Sequence, residues 1–318
     1  MIVTITMNPA VDKSTTIEKL IPEKKLRCSE MVVEAGGGGI NVSKAIKKLG
    51  GETYAIFPSG GMNGKVLENS LTKLGIKYSA LPVEAETREN IVVTEVSTNE
   101  QFRFVLPGAE LKPDLESSLQ SCLESLKPIP SIIVASGSLP PGISETFYAD
   151  LARLSKKMNA KYILDTSGKP LQLAAMEGVY LLKPNLGELS KLVGKETLEL
   201  DEVDDAAMEI VSRGNCEVIV VSLGPSGALL VTKQGYEHVP APIVKKVSTV
   251  GAGDSMVAGM TWMISQGKSW KEVVTFGVAC GTASTMNPGS QLFDVDKVNA
   301  IYDWINKCGD KYKLNLDN

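Results

Sequence analysis

Ser248-Thr249-Val250-Gly251-Ala252-Gly253-Asp254-Ser255-Met256-Val257-Ala258-Gly259 is a glycine-rich turn that runs straight into an apolar helical stretch. In such a turn the backbone N–H groups of Gly251, Ala252 and Gly253 point outward at the helix N-terminus, whose partial positive charge binds anions. Glycine lets the backbone come close to a phosphate. Asp254, beside the turn, could take a proton from a substrate hydroxyl. A carboxylate is a modest base at neutral pH, with a reference pKa of about 3.9. That suffices where the transition state is loose and the proton leaves late. An Asp in the first helical turn also suits the helix dipole, so the stretch by itself supports both readings.

Upstream of this turn, short apolar strands alternate with helical segments, the pattern of βαβ units and a parallel sheet. The strands are expected at Ile2–Met7, Thr53–Phe57, Ser131–Ala135, Tyr162–Asp165, Val179–Leu182, Val218–Ser222 and Ala228–Thr232, with helices such as Asn41–Leu49, Asn63–Leu74, Glu145–Lys157 and Asp201–Arg213 between them. Beyond Gly253 the pattern is helical almost to the end, over Asp254–Gln266, Trp270–Met286 and Asp294–Lys307; the polar tail Lys311–Asn318 is expected to fray. Two places break the rhythm. Ser14 to Glu34 carries two strand-like pieces, and Glu89 to Val105 reads as a β-hairpin around Thr98-Asn99-Glu100. These pieces would form a small second sheet. A sheet of two to four strands is marginal alone, so its apolar face must rest on something, and a second copy of the chain is a natural occupant.

Composition narrows the function. Apolar residues make up 43% of the 318 positions and aromatics only 5%, so Val, Ile, Leu, Ala and Gly fill the core, as in a parallel-sheet α/β protein. A formal net charge of −4 offers no global field for nucleic acid or an anionic membrane. No apolar run reaches the ~18 residues of a membrane span. Met1-Ile2-Val3-Thr4-Ile5-Thr6 reads as a strand rather than a signal peptide, which makes the cytoplasm the expected compartment. The five cysteines form no CxxC pair, so zinc and redox motifs are missing and the thiols read as idle or buried. A single histidine, His238, leaves no multi-histidine metal site and would have to serve alone in a Ser-His-Asp hydrolase; it reads as an ordinary strand residue.

Four further groups of residues bear chemistry. In Lys183-Pro184-Asn185-Leu186-Gly187-Glu188, Asn185 and Glu188 have the spacing of a helix capping box, and also form an oxygen-rich corner that could hold the water shell of Mg²⁺. Ala35-Gly36-Gly37-Gly38-Gly39-Ile40-Asn41 places four glycines before a helix. That is costly in chain entropy and makes sense where a ligand touches backbone, or where the chain hinges. Asn41, on the first turn, could hydrogen-bond a sugar hydroxyl. Asp12 follows the first strand, at the carboxyl edge where open α/β sheets bind ligands. Finally, Lys25, Arg27 and Arg103 fall in the two irregular stretches and Arg88 at the edge of the second, where arginine can grip phosphate through paired hydrogen bonds.

Taken in order, Gly36-Gly37-Gly38-Gly39-Ile40-Asn41-Val42, Ser136-Gly137-Ser138-Leu139-Pro140-Pro141-Gly142, Lys183-Pro184-Asn185 with Glu188, and Thr249-Val250-Gly251-Ala252-Gly253-Asp254-Ser255 resemble the ribokinase superfamily in its phosphofructokinase B branch, over nearly the whole chain. Lys25-Leu26-Arg27-Cys28, Ala55-Ile56-Phe57-Pro58, Phe102-Arg103-Phe104-Val105 with Pro107-Gly108-Ala109, and Val221-Ser222-Leu223-Gly224-Pro225 resemble the bacterial minor-type 6-phosphofructokinases in particular. The resemblance implies one kinase domain over residues 1–318, a ribokinase-like three-layer αβα sandwich with a mostly parallel central sheet and a small β-sheet lid built from about 14–35 and 88–106. It implies transfer of phosphate from ATP with Mg²⁺ to fructose 6-phosphate, with 1-phosphofructokinase and tagatose-6-phosphate kinase as alternatives. Asp254 would be the base, and Gly251, Ala252 and Gly253 the anion hole. Asn185 and Glu188 would organise Mg²⁺, and Lys183 would approach the ATP phosphates. Asp12, Gly37, Gly38 and Asn41 would bind sugar hydroxyls, while Lys25, Arg27, Arg88, Arg103 and Ser138 would surround the sugar's own phosphate. Ser222, Gly224, Gly227 and Thr249 would line the nucleotide site, and the lid would also form a homodimer interface. Ser248 stands where many members carry an Asp that helps hold a monovalent cation, which leaves a K⁺ site open.

Two other classes fit these residues less well. A nicotinamide-dependent dehydrogenase needs a Gly-rich loop after its first strand, and Asn8-Pro9-Ala10-Val11-Asp12 follows instead. A catalytically inactive sugar-phosphate sensor would not need both the Gly251–Gly253 turn and Asp254.

Overall fold

A computed structural model describes residues 1–289, 291–308 and 311. In chain order the elements begin with β1 (Ile2–Ile5), β2 (Ala10–Ile17), β3 (Val32–Gly36), α1 (Gly38–Lys48), β4 (Thr53–Ser59), α2 (Gly61–Lys73), β5 (Lys77–Pro82), β6 (Arg88–Glu95) and β7 (Gln101–Val105). They continue with α3 (Asp114–Ser125), β8 (Ile132–Ser136), α4 (Phe147–Lys157), β9 (Lys161–Asp165), α5 (Gly168–Met176), β10 (Val179–Leu182), α6 (Leu186–Leu192), α7 (Val203–Ser212) and β11 (Cys216–Ser222). β12 (Ala228–Thr232), β13 (Gly235–Val239), α8 (Ala252–Ser265), α9 (Trp270–Ser284) and α10 (Val295–Cys308) complete the described chain. The expected tail lies almost wholly outside the described residues.

The main sheet has nine strands in the order β13-β12-β11-β10-β9-β8-β1-β4-β5. It is parallel from β5 to β11 and turns antiparallel at β12 and β13. Every residue of β1, β8 and β12 is buried, so these strands read as nearly continuous apolar runs, because helices cover both faces. One face packs on a core that includes Leu119, Phe147, Leu151, Leu171, Leu189 and Ile210, from α3 to α7. The other packs on Val42, Ile46, Val257, Met260, Val274 and Val298, from α1, α8, α9 and α10. This gives the expected αβα sandwich. His238, in β13, is buried with Nε2 2.7 Å from the Ser226 carbonyl oxygen, an ordinary strand role.

The second sheet has four strands in the order β3-β2-β6-β7. β6 and β7 form the hairpin read from the sequence, with Asn99 in the left-handed region at φ 60° to close the turn. Val11 and Ala35 pack against Ile40, Phe57, Leu67 and Leu71, so the small sheet is seated on α1, α2 and β4. Strand β2 starts at Ala10, four residues before the irregular stretch read from the sequence. Asp12 therefore sits within a strand of the small sheet rather than in a loop after β1. The reason is local: Val11 is fully buried and pairs with Ala35, which extends the strand toward β1.

Candidate active site

Gly251 is the N-cap of α8 at φ 73°, a left-handed conformation that glycine adopts without penalty. The turn thereby presents the first N–H groups of α8 and sets Asp254 in the first helical turn. The start of α1 faces it. Asn41 Nδ2 donates to Asp254 Oδ2 at 3.0 Å, and Ser136 Oγ, at the end of β8, donates to Oδ1 at 3.3 Å. Burial, reinforced by Asp165, pushes the Asp254 carboxyl up to about 6, against the opposing pull of Asn41, Lys183 and Ser136. Asn41 Oδ1 is buried without a hydrogen-bond partner.

The glycines before α1 serve packing first. A Cβ on Gly38 would stand 2.8 Å from Gly137 N, and one on Gly37, at φ 106°, would stand 2.7 Å from Thr6 Cγ2. Helix α1 can thus enter against β1 and β8, which brings Asn41 within reach of Asp254.

Lys183 and Asp165, at the ends of β10 and β9, form a buried ion pair of 3.1 Å. Burial alone would lower the Lys183 ammonium, but Asp165 outweighs it with help from Glu188 and Asp254, and the group stands above its usual value. A Cβ on Gly253 would lie 3.6 Å from Lys183 Nζ, which puts the glycine turn directly beside this cation. Asn185 and Glu188 make a complete capping box on α6: Asn185 Oδ1 accepts from Glu188 N, and Glu188 Oε2 accepts from Asn185 N, both at 2.9 Å. Burial raises the Glu188 carboxyl. Ser222 N donates to the Pro184 carbonyl at 2.9 Å, which fixes the end of β11 against the Asn185 loop. Gly224 and Gly227 bound the tight turn that follows, closed by Gly227 N to Gly224 O at 3.1 Å.

The remaining residues gather on the small-sheet side. Asn90 Nδ2 donates to Asp12 Oδ1 at 2.8 Å. Arg88 donates to the Asn8 and Leu106 carbonyls, each at 3.1 Å, and Asn8 Nδ2 donates to Ser138 Oγ at 3.2 Å. Arg103 donates to Thr249 Oγ1 at 2.8 Å, and Ser248 Oγ donates to Gln101 Oε1 at 3.1 Å, so β7 reaches the segment that leads into the glycine turn. Lys25 and Arg27 stand apart, exposed on the connection between β2 and β3.

Sequence reasoning did not single out Asp165, Ser136, Asn8, Asn90 or Gln101. A signal existed for two of them. Asp165 and Ser136 are the last residues of parallel strands, at the edge where such sheets place functional groups. Asn90 and Gln101 lie in the hairpin, where alternation gives strand faces but not what the faces meet.

The arrangement is a glycine turn at a helix N-terminus, a buried lysine and a carboxylate of raised pKa, bordered on one side by a sheet carrying arginines. The family model described as "pfkB family carbohydrate kinase" matches residues 1–297. ATP-dependent 6-phosphofructokinase isozyme 2 of Escherichia coli is 42% identical over 307 residues, 96% of this chain and 99% of that protein. Tagatose-6-phosphate kinase of Staphylococcus epidermidis is 32% identical over 305 residues, 95% of this chain and 97% of that one. The crystal structure of E. coli phosphofructokinase-2 in complex with fructose-6-phosphate matches with a TM-score of 0.90 at 40% identity, covering 96% of this chain and 99% of that chain. The chain belongs to the pfkB family of carbohydrate kinases.

Proposed function

We propose that the protein is an ATP-dependent 6-phosphofructokinase, which transfers the γ-phosphoryl group of ATP to the free hydroxymethyl oxygen of fructose 6-phosphate. The observation that carries this reading is the Asp254 carboxylate, held by Asn41 and Ser136 at the N-terminus of α8 beside Lys183. Asp254 takes the hydroxyl proton late in the transfer, as a base of pKa near 6 can. The N–H groups of Gly251, Ala252 and Gly253 receive the negative charge of the moving phosphoryl, and Lys183 adds a fixed cation. Asp12 and Asn41, with the backbone of Gly37 and Gly38, take the sugar hydroxyls. Arg88, Arg103 and Ser138 take the sugar phosphate, joined by Lys25 and Arg27 from the exposed connection between β2 and β3. Ser222, Gly224, Gly227 and Thr249 line the nucleotide, and transfer is direct, with no phosphoenzyme.

The oxygen donors near Lys183 suit Mg²⁺. Among the described residues no three acidic, histidine or cysteine side chains are grouped to hold a metal, so its remaining ligands would be ATP oxygens and water, with Asn185 and Glu188 ordering that water. Bound Mg²⁺ neutralises phosphate charge. The Ser248 hydroxyl donates to Gln101 Oε1 at 3.1 Å and accepts from Val250 N at 3.2 Å.

The substrate is tested by ADP release with MgATP and a panel of fructose 6-phosphate, fructose 1-phosphate, tagatose 6-phosphate and free hexoses. Fructose 6-phosphate should be preferred in kcat/KM; a preference for tagatose 6-phosphate would reassign the substrate, and silence across the panel would leave only the sensor reading. Because burial raises Asp254 to about 6, kcat should rise with pH through about 6 and level off above it. The stability linkage has the opposite sign. Between the unfolded carboxyl value and about 6 the folded state holds the extra proton, so this group's contribution to stability falls as pH rises through that window and is constant above it. A flat kcat profile between pH 5 and 7 would remove Asp254 as the titrating base.

The small sheet is read as a lid that closes over the sugar and excludes water from the phosphoryl group. It also supplies a dimer interface. Val33, Phe104 and Val105 of β3 and β7 are 47, 51 and 66% exposed, and apolar exposure of this kind marks an association surface. Phe104→Glu should convert a dimer into a monomer in light scattering at micromolar concentration; a wild-type monomer with full activity would sink the dimer. No helix among the described residues is long and apolar enough to cross a membrane, and we place the enzyme in the cytoplasm with its sugar-phosphate substrate.

A further inference from the structure

Asp12 and Glu34 are directly opposed on the antiparallel strands β2 and β3. Opposed residues project from the same face with Cβ atoms about 4.5–5.5 Å apart, and like charges there destabilise the pair. Lys44 answers this repulsion. Its side chain, only 8% exposed, rises from α1; Nζ donates to the Ala35 carbonyl at 2.8 Å and lies 3.9 Å from Glu34 Oε1. Asp12 and, more weakly, Asp254 also attract the Lys44 ammonium, Lys48 repels it, and Arg88 attracts Asp12.

A buried ammonium is costly, and packing alone does not ask for one here. The neighbours on α1, Ile40, Val42, Ala45 and Ile46, are fully buried and apolar, and an unbranched apolar side chain would fill the same space. Burial lowers the Lys44 ammonium, opposed first by Glu34 and then by Asp12, and burial raises the Asp12 carboxyl, opposed first by the Asn90 hydrogen bond and then by Lys44 and Arg88. The Lys44–Ala35 bond also braces β3 to α1 across the Gly36–Gly39 turn, whose glycines could otherwise let the small sheet pivot. Gly36 lies against the Asp12 carboxylate so closely that any Cβ would overlap it.

We propose that Lys44 is a positioning residue for the sugar: it offsets the opposed carboxylates of Asp12 and Glu34, so that Asp12 is held as an acceptor for sugar hydroxyls, and through Ala35 it fixes the glycine segment that leads into α1 with Gly37, Gly38 and Asn41. This rests on the reading of Asp12 as a sugar ligand. Steady-state kinetics of Lys44→Met, Lys44→Arg and the double variant Glu34→Gln/Lys44→Met, varying sugar phosphate and ATP separately, test it. Lys44→Met should raise KM for the sugar phosphate about tenfold or more, the size of one weakened charge-assisted hydrogen bond, with kcat and the ATP KM within about twofold. Lys44→Arg, which keeps the charge, should stay within about threefold of wild type. The double variant, freed of the opposed charge, should fall between Lys44→Met and wild type. If Lys44→Met does not fold, the double variant carries the test, with a sugar KM still above that of Lys44→Arg. The proposal is overturned if the sugar KM of an active enzyme is unchanged without the ammonium, or if kcat and both KM values change together, as a purely structural role would have it. A wild-type enzyme inactive on every sugar phosphate would overturn the underlying function as well, and so is told apart from failure of the Lys44 inference alone.

Discussion

Asp254→Asn is expected to lower kcat with MgATP and fructose 6-phosphate by about 10²–10⁴-fold, the range a positioned general base contributes. The substitution keeps the shape of the side chain. An amide oxygen can still accept from Asn41 Nδ2, now 3.0 Å from the carboxylate, so substrate should bind nearly as before and KM should move only a few-fold. Stability should not suffer. The carboxylate is desolvated and repelled by Asp165, and replacing a strained buried charge by a neutral group is neutral or stabilising at functional sites. A thermal midpoint equal to or above that of wild type, with activity nearly abolished, is the combined outcome expected. Retention of a tenth or more of kcat would assign the proton to another acceptor.

Lys183→Met should act on both stability and chemistry. The Lys183–Asp165 pair is 7 and 16% exposed, and removing one partner of a buried pair costs about 3–5 kcal/mol because the other charge is left uncompensated. Here Asp165, Glu188 and Asp254 all lose the cation they share. Asp254 should become harder to ionise, so the rise of residual kcat with pH should move above about 6. Urea denaturation and a kcat–pH profile read the two effects. A loss of under about 1 kcal/mol with an unmoved profile would mean that Lys183 does not govern the charge of this site.

The layered fold was readable because strands buried on both faces carry nearly continuous apolar runs, as in Ile132–Ser136 and Ala228–Thr232. Strand β5, Lys77–Pro82, was not among the expected strands: it lies at the sheet edge, with no fully buried residue to make a run. Helix α3 was also missed; its buried residues are Leu115, Leu119 and Leu123, with Cys122 partly buried beside them. Within the site, the Gly251–Asp254 turn and the Asn185–Glu188 cap were legible because each is local, set by residues within four positions of one another. The Asn41–Asp254 and Arg103–Thr249 contacts join residues 213 and 146 positions apart. Spacing along the chain does not encode such pairs; the sheet order brings them together. Asp12 shows the boundary between the two cases. Its place near the ligand edge follows from the end of β1, but its membership of β2 depends on Val11 finding Ala35, a long-range pairing.

The most direct test of the central claim is a single turnover with ATP labelled in the γ-phosphate and fructose 6-phosphate, with enzyme in excess and the products identified by position. The account predicts label on the sugar's formerly free hydroxymethyl oxygen, one for each ADP formed, and none on the protein at any time point. Label that passes through a protein-bound phosphate, or appears as inorganic phosphate while the sugar stays unlabelled, would contradict it.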